Sequence, residues 1–442
     1  KHYVTVIEFP MEDIIQEIGL DQPVEEQVEE QIVQVHTEHG SEDPEIHNRP
    51  AMEEERKIVQ DLGVKLDEDM DPVLKNELIK LVSEYPDICA SSYADIKEGS
   101  LLRPAEIKIK PGVTLERNRT YRVSPKTRQI QAKLVDELLE AGIVEETQEI
   151  VPYLNNLLLV RKADGGKRLV LDLRWSNQWT ENEAYTIPLI DDLFLAVASH
   201  QGKELRYTLL DLYSAYNQLW LDEDSRKYTA FMHPDHNRVL WSTRIVQGAK
   251  NSVASYQRRV AEIFQSMDPL KVLCYVDDLL LIETKDQHPQ LLRKVFDILR
   301  KHRLKMSPKK LQLAKTEIKY MGFQLSAKGI SIDDSRVEAL KRIKPPKDLK
   351  DLRVLLGQLQ YVVKLIPSFS IVSCEMRKLL KKDEPFVWGD AQQRGLDEEK
   401  NQLMQQVVLS HPNTSLPFRV SVDSSRKGLG YSVFQQDPET GK

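Results

Sequence analysis

The chain has 442 residues, enough for roughly two to four domains, so a peptide or a single small module is excluded. It is 40% hydrophobic and 30% charged, and its longest aliphatic runs, Leu157–Val160 and Leu279–Ile282, fall far short of the ~18 residues of a membrane span, so no membrane partner is expected. The net charge of −7 divides unevenly: residues 1–100 hold 8 Lys+Arg against 26 Asp+Glu, a balance of −18, which leaves +11 for 101–442 to attract a phosphate backbone if those charges share a face.

Cys89, Cys274 and Cys374 are too few and too scattered for a disulfide framework or a CxxC metal site, and no basic-then-apolar signal opens the sequence, which makes an intracellular setting the default expectation. Between Gln22 and Lys57, eleven acidic residues, three Lys or Arg and no aromatic leave too little apolar surface to offset the entropy of ordering. Residues 1–70 are therefore expected to be an acidic, largely disordered linker. Asp71–Ile88 carries Val73, Leu74, Leu78, Leu81 and Val82 at helical spacing and opens the folded part. Ser124-Pro125 supplies an N-cap and a first helical residue, Ile130, Leu134, Leu138 and Ala141 mark one face, and Gly142 ends the helix. Asn156–Arg161, the turn Ala163-Asp164-Gly165-Gly166, and Arg168–Leu173 read as a hairpin. Leu205–Leu212 and Lys271–Ile282 are the next strands, with helical segments between Ser252 and Met267 and between Gln287 and His302. Strands and helices alternate without a repeat, which predicts an α+β class. Ser335 is expected to cap a short helix ended by Pro345-Pro346, and Leu349, Leu352, Leu356 and Leu359 line the next.

The sharpest chemical feature is Tyr275-Val276-Asp277-Asp278, where two acids interrupt an apolar strand pair. Adjacent carboxylates on a buried sheet repel and resist ionisation, so the arrangement is costly unless a cation compensates. Magnesium, which takes carboxylate oxygens together with substrate phosphates, is the natural compensation, and Asp211, a lone acid in Leu209-Leu210-Asp211-Leu212, is the matching third ligand. The plain alternative is an exposed turn, where Asp is common. Around Lys162 and Arg168 the 160–168 stretch is a basic hairpin of donor-only groups suited to phosphates, or simply a solvated one. Asp172-x-Arg174-x-x-Asn177, Gln247-Gly248, Tyr320-Met321-Gly322-Phe323, Leu356-Gly357-Gln358-Leu359-Gln360-Tyr361 and Phe418–Asp423 follow in order.

In this order the motifs resemble the reverse transcriptases of LTR retrotransposons, gypsy-type, and more distantly those of retroviruses, over roughly Leu101 to Gln435. The resemblance implies a right-hand polymerase fold with fingers, palm and thumb, an antiparallel palm sheet and the first strands of an RNase H-like domain. The implied division is 1–70 linker, 71–204 N-terminal extension and fingers, 205–334 palm with part of the fingers and the primer grip, 335–412 thumb, and 413–442 a truncated RNase H-like start. Asp211, Asp277 and Asp278 then match the metal-binding catalytic triad, served by two magnesium ions with manganese as a substitute. Lys162, Arg168, Tyr216, Gln247 and Gly248 match nucleotide binders, with Tyr216 as the aromatic gate against a ribose 2′-hydroxyl. Tyr275, Met321, Gly322, Arg353, Gly357 and Tyr361 fall to primer and template, Arg174 to structure. Asp423 matches the first RNase H acid, and with 19 residues after it no RNase H activity is expected from this chain alone. The sequence departs from the gypsy pattern in carrying Gln247 where an aromatic is usual, Val246 for a proline, and Ser252-Val253 for Ala-Pro or Ser-Pro.

The implied partners are an RNA or DNA template with its primer, a tRNA among the candidates, deoxynucleoside triphosphates, and a second copy or other products of a polyprotein cut at both ends. The implied location is the cytoplasm, within virus-like particles, or the nucleus. The reading of another class is a catalytically degenerate, domesticated element that binds nucleic acid or assembles particles; three intact acids argue against it.

Overall fold

The computed structural model describes residues 5–9, 50–113, 121–161, 165–185, 196–197, 204–365, 369–382, 384–404, 416–425 and 428–435. The chain forms two compact units, one of Pro50–Ala196 with Glu204–Thr316, the other of Lys1–Arg49 with Val197–Lys203 and Glu317–Lys442. Among the described residues no helix is long and apolar enough to cross a membrane.

The first unit is built on a four-stranded antiparallel sheet in the order Gln312–Lys315, Leu205–Asp211, Asp278–Thr284, Val272–Tyr275. Consecutive residues Leu279 through Ile282 are all fully buried, as are Tyr207 and Thr208, so this sheet is covered on both faces and the run Leu279–Ile282 is apolar without alternation. The covering helices are Pro72–Ser83, Ser252–Phe264 and His288–Lys301, which bring Leu78, Val82, Tyr256, Val260, Leu292, Val295 and Phe296 into one core. Asp71 caps the first of these by accepting from the Val73 and Leu74 amides, and Val73, expected on its apolar face, is 71% exposed.

The acidic linker expected over 1–70 does not extend that far. Glu53–Asp61 is a helix that buries Val59, with Glu53, Glu54 and Glu55 in its first turn, where carboxylates are favoured by the helix dipole. The charge density that suggested disorder is, in that part, an N-terminal helix signal. Strand Thr5–Phe9 also pairs, antiparallel to Gly428–Phe434.

Pro125–Glu140 is helical as expected, with the Ser124 hydroxyl accepting from the Thr127 amide. Its buried residues are Gln131, Ala132 and Val135 rather than Ile130 and Leu134, a small rotation that lets Val135 pack with Val144, Leu171, Leu173 and Phe231 while Gln131 donates to Leu157 O at 2.9 Å. The hairpin Asn156–Arg161 with Lys167–Asp172 forms, and Val160 faces Arg168 across it. Lys162, at its turn, lies outside the described residues.

The second unit holds a meander of Ile318–Tyr320, Phe323–Ser326 and Gly329–Ile332, four helices (Asp334–Lys341, Leu349–Gln360, Phe369–Lys378, Asp390–Met404) and the strand pair Arg419–Ser425 with Gly428–Phe434. The residue preceding the first helix is Asp333, so Ser335 lies inside the first turn, donating to the Asp333 carboxylate. Leu352, Leu356 and Leu359 are buried as expected, joined by Leu355.

Candidate active site

Antiparallel register decides where the acids stand. Asp211 is the last residue of its strand and pairs directly with Asp278, the first of the neighbouring strand, while Tyr275 pairs with the same Asp278 on the other side. Residues directly opposite project from the same face of a sheet, so two like charges face each other there, which is destabilising unless offset. Backbone bonds fix the acids further: Leu212 N donates to Asp277 O at 2.9 Å and Ser307 N to Asp211 O at 2.8 Å.

The two-residue turn between the strands, Val276-Asp277, places Val276 at φ +56°, a region β-branched residues seldom enter. Gln257, fully buried on the Ser252–Phe264 helix, holds that turn: its Nε2 donates to Cys274 O at 2.8 Å and its Oε1 accepts from the Val276 amide. Burial first, then repulsion from Asp277 and Asp211, pushes the Asp278 carboxyl up to about 6. Asp211 is raised by burial too, against the pull of Lys310, whose Nζ sits 2.8 Å from Asp211 Oδ2.

Among the described residues no group of three His, Cys, Asp or Glu side chains is already arranged to hold a metal ion. The donor set nonetheless suits one: three hard carboxylates crowded at one sheet end, two of them held against ionisation by burial and mutual repulsion, with a single lysine as partial counter-charge.

Beyond Asp211 the chain reverses at Ser214, φ +44°, into the turn Ala215–Gln218, which buries Ala215 and Gln218 and leaves Tyr216 half-buried. The Tyr216 ring lies 5.4 Å from that of Tyr256, and Asp277 adds to the burial that raises its hydroxyl pKa. Tyr256 is fully buried, with no partner for its hydroxyl among the described residues.

Arg168, on the hairpin, donates from Nη1 to Gln247 Oε1 at 3.0 Å, so two expected nucleotide binders 79 positions apart meet. Gly248 follows at φ +96° with open space where a Cβ would stand, a conformation that penalises any side chain. Arg174, expected to be structural, grips Asp172 through Nε at 2.8 Å and Nη2 at 2.7 Å, and Tyr121 adds its hydroxyl at 2.9 Å; the Asp172 carboxyl is pulled down to about 2, chiefly by Arg174.

In the second unit, Met321 (φ +50°) and Gly322 (φ +78°) form a two-residue hairpin turn with both residues left-handed, as a type I′ turn requires. A Cβ on Gly322 would stand 2.3 Å from Arg336 Nη1. Tyr361 donates to Met321 O at 2.6 Å, stacks on Phe323 at 5.4 Å and carries Arg336 over its ring at 4.0 Å, so it braces this turn from the helix side. Arg353 and Gly357 lie exposed on Leu349–Gln360, and a Cβ on the glycine would stand in open space. Asp423 is in a strand opposite Gly430. Sequence reasoning did not single out Gln257, Tyr256, Lys310 or Arg336; the buried side of the Ser252–Phe264 helix mixes Ser255, Gln257 and Arg259 with Tyr256, Val260 and Phe264, so no apolar stripe sets Gln257 apart.

Acids at the end of a buried antiparallel sheet suit divalent-metal chemistry. Residues 160–325 match the reverse transcriptase (RNA-dependent DNA polymerase) family, and 388–442 match the RNase H-like domain found in reverse transcriptase. The chain is thus similar, over 160–325, to a reverse transcriptase domain. It is 29% identical over 370 residues to the retrovirus-related Pol polyprotein from transposon 412 of Drosophila melanogaster, covering 82% of this chain and 29% of that one. The transposon Tf2-3 polyprotein of Schizosaccharomyces pombe is 26% identical over 369 residues, covering 82% and 27%. The chain therefore spans less than a third of the length of these curated relatives. In fold it is similar to the foamy viral protease-reverse transcriptase, solved with double-stranded DNA (TM-score 0.70, 21% identity, 92% of this chain and 71% of that) and with an RNA/DNA hybrid (TM-score 0.65, 20% identity, 91% and 54%). The fold is the α+β right-hand polymerase fold expected from the motifs.

Proposed function

We propose that this chain is the polymerase portion of a retrotransposon Pol polyprotein and adds deoxynucleotides to a primer 3′-hydroxyl on an RNA or DNA template. The observation that carries the proposal is the pairing of Asp211 with Asp278 at the end of a buried antiparallel sheet, with Asp277 in the turn beside them. These three residues would hold two magnesium ions, or manganese in their place; a bound metal there supplies charge stabilisation to the triphosphate and makes the primer hydroxyl a better nucleophile.

The remaining work falls to the chain itself. Arg168 and Lys162 bind phosphate oxygens through donor-only groups, with Gln247 orienting Arg168. Tyr216, backed by Tyr256, excludes a 2′-hydroxyl from the sugar position. Met321 and Gly322, Tyr275, and the exposed side of Leu349–Gln360 with Arg353 and Gly357 meet the primer and template, while Tyr361 supports the Met321-Gly322 turn. The double-stranded DNA and RNA/DNA hybrid bound by the foamy viral relatives are the partner class proposed here. A tRNA primer and self-association belong to the same proposal, as does action in cytoplasmic particles.

The test is primer extension on poly(rA)/oligo(dT) with magnesium. Extension supports the reading; retained primer–template binding without extension favours a non-catalytic element.

A further inference from the structure

The Asp172-x-Arg174-x-x-Asn177 spacing leaves Asn177 without a part in the chemistry above. In the structure its side chain reaches the nucleotide-site loop, 71 positions away. Asn177 Nδ2 donates to Gly248 O at 2.9 Å, and Asn177 Oδ1 accepts from Lys250 N at 2.9 Å. One carboxamide therefore holds both backbone groups that flank Ala249. Two more bonds tie the same loop to the same segment: Lys250 Nζ donates to Thr180 O at 2.8 Å, and Asn251 Nδ2 to Glu181 O at 2.8 Å.

The anchor is itself fixed. Asn177 N donates to Leu173 O at 2.8 Å within the short helix Arg174–Trp179, and Asp172 holds the Arg174 amide and guanidinium at its start. Lys250 and Asn251 are turned back onto this segment, whereas Gln247 is directed to Arg168, 3.0 Å away. A carboxamide is the group this clasp needs, because it offers one donor to the Gly248 carbonyl and one acceptor to the Lys250 amide; a carboxylate offers acceptors alone and would face that carbonyl with no proton to share.

We infer that Asn177 is a positioning residue for the nucleotide site: it fixes the Gly248–Lys250 backbone so that Gln247 meets Arg168, and through that contact it sets affinity for the incoming nucleotide. The inference rests on the polymerase reading. Its test is a deoxynucleotide titration on a fixed primer–template with the wild type, Asn177→Ala, Asn177→Asp, Gln247→Ala and the Asn177→Ala/Gln247→Ala double variant. Asn177→Ala should raise KM about tenfold with kcat within about threefold, and Asn177→Asp should match it. In the Gln247→Ala background the same change should add less than about twofold, because both act on one contact.

Independent, multiplicative effects in the double variant would overturn the inference, as would a loss of kcat at unchanged KM. If Asn177→Ala melts early, Asn177→Asp decides: it keeps the acceptor for Lys250, and a normal KM in that variant overturns the assignment. A wild type that binds primer–template but adds no nucleotide would instead refute the polymerase reading, and the inference would fall with it.

Discussion

Replacing Glu399 with Gln removes a carboxyl from the middle of an apolar row. On Asp390–Met404 the buried residues are Leu396, Glu399 and Leu403, and Glu399 is fully buried with neither oxygen hydrogen-bonded among the described residues. From the adjoining helix Phe369–Lys378, Arg377 is the cation that acts on it, but Arg377 is itself held by Ser373 Oγ at 3.0 Å and Gln360 Oε1 at 3.3 Å. Burial pushes the carboxyl from 4.5 up to about 8. Below pH 4.5 it is neutral in folded and unfolded chains alike, and its contribution is complete; as pH rises toward 8 the unfolded chain ionises while the folded one resists, and that stability is lost. The gap is worth at most roughly 5 kcal/mol, about three-thousandfold in the opening equilibrium. Hydrogen exchange over 390–404, compared between wild type and Glu399→Gln at matched pH, reads it directly. The two should be equally protected near pH 4, and at pH 9 the variant should be at least about tenfold better protected. Equal protection at both pH values would refute the reasoning.

Two further substitutions address the proposed polymerase site. Tyr216→Ala removes the ring that rests against Tyr256 and should raise ribonucleotide incorporation by at least about tenfold relative to deoxynucleotide; unchanged sugar discrimination in competing-substrate extension would remove Tyr216 from the gate. Gln257→Leu keeps the volume but frees Cys274 O and the Val276 amide, and should lower kcat about tenfold or more while primer–template affinity holds. Normal turnover in that variant, measured by single-nucleotide addition, would mean that the turn keeps its shape unaided.

The acid centre was legible because its signal is local: carboxylates interrupting the apolar runs that end at Leu212 and Ile282 have few structural uses, and antiparallel pairing then sets Asp211 against Asp278. The hairpin around Gly165 and the helix capped by Ser124 were legible for the same reason, turn and cap chemistry read within a few residues. What sequence concealed depends on distant partners. Asn177 stands in a recognisable spacing with Asp172 and Arg174, but its partners Gly248 and Lys250 lie across the fold, where spacing does not reach. Glu399 occupies a helical apolar row, yet a glutamate in a charged stretch reads as solvent-facing. Glu53–Asp61 was hidden by its own acids, because composition cannot separate a charged helix start from a disordered tract. Ser335 has the residue type of a cap, yet Asp333 two positions earlier precedes the helix.

The most direct test of the central claim is Asp277→Asn, assayed beside the wild type for single-nucleotide extension and for primer–template affinity. The substitution leaves the shape of the turn between Tyr275 and Asp278 intact and removes one negative charge from the acid cluster. Extension should fall at least about a thousandfold while affinity changes less than about threefold, since phosphate contacts made elsewhere hold the duplex. A variant that still extends near the wild-type rate, or one that loses binding and synthesis in equal measure, would contradict the assignment of these carboxylates as the catalytic centre.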